Sequence, residues 1–205
     1  MATSGYDQPI LPPYASAIAP VVMQLHSVDY RRPSQLPAGA TLIVGTGQSG
    51  EQIMENLHLA IGPASRSARK YRGRDATDWL HDMGHNAITT DRHPDPLKAL
   101  TQTNHYMSGR DGGKEIDLRP FALEGVRLYG SLAGAERPHL RFLPNLEKNL
   151  DDADRSYCGI HDQIDSWIAA QGINAPQESP FQKVWRPEAE VTQTDCTAVG
   201  ITSIL

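Results

Sequence analysis

The feature that most constrains this chain is a glycine-rich turn between a short apolar run and an amphipathic run. Residues 40–44 read Ala-Thr-Leu-Ile-Val, and the pattern G-x-G-x-x-G follows at Gly45, Gly47 and Gly50. Residues 51–57 continue with a helical pattern. A strand, a glycine turn and a helix in that order are the context in which this motif binds a dinucleotide. The sequence therefore predicts an α/β fold with a Rossmann-type parallel sheet.

Each glycine of the turn has a physical role in such a site. Gly45 would allow the tight turn, Gly47 would let the backbone approach a pyrophosphate, and Gly50 would let the helix pack on the strand. N–H groups at the start of the helix would face the phosphates. The predicted cofactor-binding residues here are Gly45, Thr46, Gly47, Gln48, Ser49 and Gly50. The alternative is a glycine-rich loop that binds nothing.

Composition narrows the classes of partner. The net charge is −5 with acids and bases interspersed, which favours neither nucleic acid nor a membrane surface. No apolar run approaches the ~20 residues of a membrane span, and the N-terminus has no signal-peptide pattern. Cys158 and Cys196 lack metal or redox spacing, so we expect two thiols in a reducing, cytoplasmic setting. The sequence leaves the oligomeric state open.

Residues 1–37 differ in character from the rest of the chain. They contain six prolines and show no helical period. Each proline removes a backbone donor and restricts the residue before it, so this segment is predicted to be an extended interdomain arm. A run at residues 21–27 could form one short strand within it. The nucleotide-binding domain would then span residues 38–205.

Three motifs in order along the first 60 residues carry a family resemblance. They are Ala2-Thr3-Ser4-Gly5 with its following prolines, His26-Ser27-x-x-Tyr30-Arg31, and the glycine turn at residues 45–50. Together they resemble the flavin-containing monooxygenase-like group of FAD- and NADPH-dependent oxidoreductases. In that group an A-T-G hinge leads out of the FAD domain, and a G-x-G-x-S-[GA] turn holds NADPH. The resemblance covers residues 1 to about 60.

The resemblance implies that this chain is the second nucleotide-binding domain of a two-dinucleotide flavoprotein. NADPH would bind here, and FAD would bind in the complete protein. These 205 residues contain no second glycine fingerprint for FAD, so we expect a missing FAD domain or a flavoprotein partner. The parent activity would be NADPH-dependent flavin reduction followed by monooxygenation. No catalytic base or nucleophile constellation is visible, so enzymatic activity of this chain alone stays open. The alternative is a stand-alone, non-catalytic nucleotide-binding or interaction module.

The segment after the turn is compressed. Residues 58–62 are the only candidate for the second strand, and the preceding helix, residues 48–57, would have under three turns. A short or deleted second strand would affect the ribose site, which lies at its end. Five bases then fall within nine residues, with no acid before Asp75: Arg66, Arg69, Lys70, Arg72 and Arg74. They favour the 2′-phosphate of NADPH over the free 2′-hydroxyl of NADH, with Arg66 as first choice and Arg69 as second. For any single one of these residues, a solvated basic loop is an equal alternative.

A short helix is predicted next, with Asp75 as its N-cap and Gly84 at its end. His81 and His85 lie four residues apart, but the pair lacks the glutamate of H-E-x-x-H. We therefore expect solvent-exposed or capping histidines and no metal site. Residues 85–117 are polar and loop-like, which is typical of a lid or an insertion.

The last third of the chain holds the clearest periodic signal. Apolar residues alternate in steps of four and three along residues 145–171, at Leu146, Leu150, Ala153, Tyr157, Ile160, Ile164 and Trp167. They predict one long helix, with Asn145 as its cap and Gly172 as its terminator. Its apolar face could form a coiled-coil seam or pack on the sheet or the missing domain.

Further elements are predicted on both sides of this helix. Residues 118–123 suggest a helical turn, and residues 125–130 and 140–143 alternate as strands do. We expect both strands to be later strands of the same sheet. Residues 200–205 predict a short apolar strand at the end of the domain.

Overall fold

The protein is organised around a five-stranded parallel sheet, which confirms the predicted α/β class. The structure, a computed structural model, describes residues 11–45, 57–63, 65–93, 95–97 and 115–205. Every neighbouring pair of strands in the sheet is parallel. In spatial order the strands are β1 (Met23–Gln24), β10 (Ile201–Ile204), β2 (Ala40–Val44), β3 (Leu57–Ala60) and β6 (Arg127–Tyr129).

The central strands are apolar because both faces of the sheet are covered. Leu42 and Ile43 on β2 are both buried, although successive side chains of a strand point to opposite faces. Leu42 belongs to a cluster with Phe142, whereas Ile43 belongs to a cluster with Leu150. The continuous apolar run before Gly45 is therefore explained by burial on two sides.

The order of the strands creates a switch point beside β2. From β2 the chain passes to β3 and β6 on one side, while β10 and β1 lie on the other side. The carboxyl ends of β2 and β10 are held together, since Val44 N donates to Leu205 O over 2.7 Å. Leu205 N donates in turn to Leu42 O over 2.9 Å. The arm contributes β1 at the edge, so the strand predicted within residues 21–27 is confirmed.

One predicted strand belongs to a different sheet. The segment at residues 140–143 lies in β8 (His139–Phe142), which is the middle strand of an antiparallel sheet with β7 (Leu132–Glu136) and β9 (Gln193–Asp195). The expectation that it joins the parallel sheet is wrong. Only two residues separate β7 from β8, whereas a parallel crossover needs a dozen or more.

Three helices flank these sheets in the described part of the chain. They are α1 (Ala76–Asp82), α2 (Leu118–Leu123) and α3 (Leu146–Gln171). The predicted cap of α1 is confirmed, because Asp75 Oδ1 accepts from Thr77 N over 3.3 Å. A hairpin of β4 (Lys70–Tyr71) and β5 (Arg74–Asp75) precedes α1. Within the predicted loop of residues 85–117, two 3-10 turns are described at His85–Ala87 and Thr90–Arg92.

The long helix α3 confirms the predicted periodic helix and ends at Gly172, whose φ is +64°. Its cap differs from the expectation. The Asn145 side chain accepts from Ser131 N and makes no cap hydrogen bond. Glu190 caps the helix instead, since its two carboxylate oxygens accept from the backbone N–H groups of Leu146 and Glu147 over 3.1 and 3.0 Å.

The apolar face of α3 is used inside the chain. Its first half packs on the sheet, in one cluster with Ile43 and Leu59. Its second half packs against Tyr71 and Trp79 of the hairpin and α1. Of the two explanations for the heptad-like spacing, packing on the sheet accounts for the first half. The second half packs on a small subdomain that the periodicity does not reveal.

Candidate nucleotide-binding site

The glycine turn begins at the carboxyl edge of the sheet, as the motif requires. Gly45 directly follows β2 and has a φ of +106°, a conformation that side chains with a Cβ rarely adopt. Its N–H donates to Ala60 O over 3.0 Å, which fixes the turn beside the end of β3. No atom of the described chain lies within 4 Å of the position that a Cβ would take. Among the described residues, none crowds the backbone at Gly45.

The other turn residues predicted to bind the cofactor, Thr46, Gly47, Gln48, Ser49 and Gly50, lie outside the described residues. The helix predicted for residues 48–57 also lies outside them, except for Leu57. Leu57 is the first residue of β3, so the prediction of a helical Leu57 is wrong. Leu57 pairs with Thr41 of β2, so the chain is already extended at this residue.

The compressed second strand does form. Its predicted range, residues 58–62, corresponds to β3, which pairs with β2 on one side and β6 on the other. Leu59 in its centre is fully buried. After the strand, Ile61 N donates to Tyr129 O and Ile61 O accepts from Asn149 Nδ2. The chain beyond β3 is thus attached to the first turns of α3.

A cavity of about 730 Å³ lies on the other side of the switch point. The sheet supplies one wall of it, through Val44, Gly45 and Leu205. The arm supplies the facing wall, which includes Tyr14 and His26. Most of the lining is aliphatic, and cavities of about 300–1,000 Å³ with a few polar groups are typical of small-molecule sites. Sequence reasoning missed this contribution of the arm, because contacts between residues so far apart leave no local pattern.

Arg66, the first-choice phosphate ligand, is buried, with only 3% of its side chain exposed. Its Nη1 contacts Asp154 at 2.9 Å, and its Nη2 contacts Asp117 at 3.1 Å and also Glu115. The guanidinium lies 4.2 Å from the centre of the Tyr157 ring. A phosphate at Arg66 would have to compete with three carboxylates that already bind it.

Arg119 shares the Asp154 carboxylate with Arg66 and was not singled out from the sequence. Its side chain is 1% exposed, and its Nε and Nη2 contact Asp154 and Asp151 at 2.8 and 2.6 Å. Its Nη1 donates to Trp185 O over 2.6 Å. Burial raises the pKa of the Asp117 carboxyl, against the opposing effect of Arg66. We call this group the buried arginine cluster; it consists of Arg66, Arg119, Glu115, Asp117, Asp151 and Asp154.

Arg69, the second choice, is accessible, with 42% of its side chain exposed. Its Nε contacts Asp75 Oδ2 at 2.7 Å, and its backbone carbonyl accepts from Ala76 N. Two other bases of the stretch are also paired. Arg72 contacts Asp165, and Arg74 contacts Asp82. Most of the predicted basic cluster is therefore engaged with neighbouring acids.

The basic stretch runs along α3 away from the carboxyl edge of the sheet. Near that edge Asn149 holds Ile61, while Tyr71 donates to Asp165, sixteen residues further along the helix. At the rise of an α-helix this separation is about 24 Å. Arg66 lies between, where its N–H donates to Ser156 Oγ. The structure does not gather Arg66 and Arg69 around Gly45, and their role as phosphate ligands stays a prediction.

Other features bear on the class of protein. His81 and His85 are exposed, and the described residues contain no group of three or more His, Cys, Asp or Glu side chains arranged to hold a metal. Cys158 is half-buried and Cys196 is buried, and neither forms a disulfide. Among the helices of the described ranges, none combines the length and the apolar character that crossing a membrane requires.

Two curated proteins share part of this sequence. An uncharacterized CzcO-like oxidoreductase of Geobacillus kaustophilus is 42% identical over 91 residues, which are 41% of this chain and 26% of that protein. An uncharacterized oxidoreductase CzcO of Bacillus velezensis is 39% identical over 57 residues, which are 28% of this chain and 16% of that protein. The chain therefore matches about a quarter or less of the length of these relatives.

The shared segments support kinship with an oxidoreductase family. No family model matches the chain, and no solved structure matches it. The class that the fold and these relatives define is an α/β protein with a Rossmann-like parallel sheet, related in part to oxidoreductases.

Proposed function

We propose that this chain is the NADPH-binding domain of a flavin-dependent oxidoreductase, and that it delivers hydride to FAD held outside these 205 residues. The observation that carries the proposal is the switch point between β2 and β10, with Gly45 at the end of β2. In open parallel sheets, ligands bind in the crevice at this point. The kinship with oxidoreductases supports the class of reaction.

The described residues fit a dinucleotide. No described residue blocks the close approach of a pyrophosphate to the Gly45 backbone, and the adjoining cavity offers room for one of the two nucleosides. The nicotinamide supplies the hydride, while the protein binds and orients it. A carboxylate soon after β3 would favour the 2′-hydroxyl of NADH, but no acid occurs between β3 and Asp75. This favours NADPH, with Arg69 as the more accessible of the two predicted phosphate ligands.

Calorimetric titration of the purified chain with NADPH and NADH tests the proposal. We expect saturable binding of NADPH and weaker binding of NADH. Absence of binding to both would contradict it and favour a stand-alone interaction module. Flavin absorbance in stoichiometric amount on the purified chain would contradict the part that locates FAD elsewhere. Equal affinity for the two nucleotides would remove the assignment to NADPH but leave nucleotide binding in place.

A further inference from the structure

A buried polar network lies where the ends of β3 and β6 meet the start of α3. Its centre is the carbonyl oxygen of Ile61, the first residue after β3. Asn149 Nδ2 donates to this oxygen over 2.8 Å, and Ser131 Oγ donates to it over 3.2 Å. Asn149 is only 3% exposed, so water cannot readily replace its hydrogen bond. One carbonyl group thus receives two side-chain donors from distant parts of the chain.

The surrounding chain keeps the two donors in place. Ser131 N donates to Asn145 Oδ1 over 2.9 Å, and Asn145 Nδ2 donates to Ser131 Oγ over 3.2 Å. A Cβ at Gly130 would overlap the Leu143 carbonyl oxygen and would lie 2.6 Å from Asn145 Oδ1. Only glycine permits this close approach, which accounts for the glycine at this position. The Asn145 side chain therefore serves the network and not the cap of α3.

The network fixes the direction in which the chain leaves β3. The peptide bond between Ile61 and Gly62 is trans, so its C=O and N–H groups point in opposite directions. Two donors on Ile61 O therefore also set the direction of Gly62 N–H. Seven residues further along α3, Ser156 Oγ accepts from Arg66 N and donates to Arg66 O. Ile61 and Arg66 are thus both attached to the same helix.

In a Rossmann-type site the residues that follow the second strand contact a ribose of the dinucleotide. We propose that Asn149 is a positioning residue for the nucleotide, because it holds Ile61 and Gly62 in place at the end of β3. The inference rests on the proposed function and adds to it a residue of the long helix that acts through the Ile61 carbonyl. Asn149 contributes to affinity without a contact of its own with the ligand.

Two variants remove the donors independently. Asn149→Leu keeps a side chain of similar volume without the amide, and Ser131→Ala removes the second donor in case the first variant does not fold. The matched control is Ser156→Ala, which removes hydrogen bonds between α3 and Arg66, about 10 Å further along the helix. Each chain is titrated calorimetrically with NADPH and with NADH, and urea denaturation measures its stability.

A purely structural role of Asn149 would lower the urea midpoint and leave the dissociation constants unchanged, because both nucleotides bind the folded chain and the titration is made where folded chain predominates. We expect Asn149→Leu to weaken binding of both nucleotides by similar factors, at least about tenfold, and Ser131→Ala to weaken it about threefold. Both losses should be similar because NADPH and NADH share the ribose. Ser156→Ala should lower the urea midpoint while both affinities stay within about twofold of wild type.

Wild-type affinities in whichever of the two donor variants fold would overturn the inference and leave the proposed function in place. A loss of affinity in Ser156→Ala equal to that in the donor variants would also overturn it, because any contact between α3 and the segment after β3 would then have the same effect. A wild-type chain that binds neither nucleotide would overturn the proposed function, and the inference with it.

Discussion

The carboxyl edge at Gly45 and the buried arginine cluster differ in polarity and in exposure. At the edge, a glycine in a left-handed conformation borders a largely aliphatic cavity, and no described residue crowds its Cα. In the cluster, Arg66 and Arg119 are almost fully buried and are bound by carboxylates from α3 and from the segment before α2. We propose that the edge binds a ligand, whereas the arginines of the cluster are already paired inside the fold. A count of arginines does not distinguish an anion site from a core.

Among the variants that test this comparison, Arg119→Met should cause the largest loss in the free energy of unfolding. It would leave Asp151 and Asp154 without one of their main partners, and breaking a buried ion pair from one side costs about 3–5 kcal/mol. Urea denaturation measures the free energy of unfolding. The control is Arg155→Met, because Arg155 pairs with Asp152 on the same helix but is 73% exposed, and we expect a change under about 0.5 kcal/mol. Equal losses in the two variants would contradict a structural role for the cluster.

Gly45→Ala should come second and should act on binding as well as on stability. The new Cβ meets no atom of the described residues, and we expect the left-handed backbone conformation to cost about 1–3 kcal/mol. Relaxation of the turn should also weaken NADPH binding. Gly134→Ala is the matched control, because a Cβ there also meets no described atom but the φ of Gly134 is not left-handed. Titration and denaturation of both variants show whether the loss comes from the left-handed conformation of Gly45 or from an added methyl group in general, and identical behaviour would remove Gly45 from the site.

The third prediction concerns how the free energy of unfolding depends on pH through His161, which lies beside the buried arginine cluster. His161 stacks on Tyr71 with ring centres 3.6 Å apart and also contacts Tyr157, the ring beneath Arg66. Burial lowers the pKa of His161 to about 4 from 6.5. The unfolded chain therefore takes up the proton first, and the free energy of unfolding should fall as the pH drops from 6.5 towards 4.

Denaturation at about pH 7 and about pH 5 measures this loss, with His161→Phe as the comparison because it keeps an aromatic ring between its neighbours. The variant should lose less stability between the two pH values than the wild type. An identical loss would assign the pH dependence of the unfolding free energy to groups other than His161. The pH dependence would then not distinguish the side of the arginine cluster from the carboxyl edge.

Arg69→Ala should have the smallest effect. An exposed charge is worth about 0.2–1 kcal/mol, so NADPH affinity should fall by about two- to fivefold while NADH affinity stays unchanged. Arg74→Ala is the control, since Arg74 is 41% exposed and pairs with Asp82 much as Arg69 pairs with Asp75, but it is not one of the two predicted phosphate ligands. A constant ratio of the two affinities in Arg69→Ala would remove Arg69 from the nucleotide site and leave the hairpin arginines as surface ion pairs.

Local patterns predicted the elements of this fold well. The run before Gly45, the cap at Asp75 and the period of α3 each depend on neighbours in the sequence, and each formed as expected. Alternation also found β8, but it cannot name the strand that pairs with it. The two-residue connection to β7 decided that β8 is antiparallel and outside the main sheet.

The candidate site was predicted only in part, for a related reason. Gly45 could be predicted because a turn with positive φ favours glycine, and that preference is visible in the local sequence. The environment of Arg66 depends on Glu115 and Asp154, which are 49 and 88 residues away. No spacing rule connects such residues, so an arginine of the core and an arginine of a binding site look alike in the sequence. The arm wall of the cavity was missed for the same cause.

The position of β10 has a consequence for how the protein is made. It is the last strand along the chain, yet it lies between β1 and β2. During synthesis β2, β3 and β6 can assemble early, but β1 has no neighbour in the sheet until residues 201–204 have left the ribosome. Such distant pairing is slow. Nascent chains should therefore be unable to bind nucleotide until this strand is inserted, and premature termination before it would leave a β1 segment exposed to aggregation or degradation.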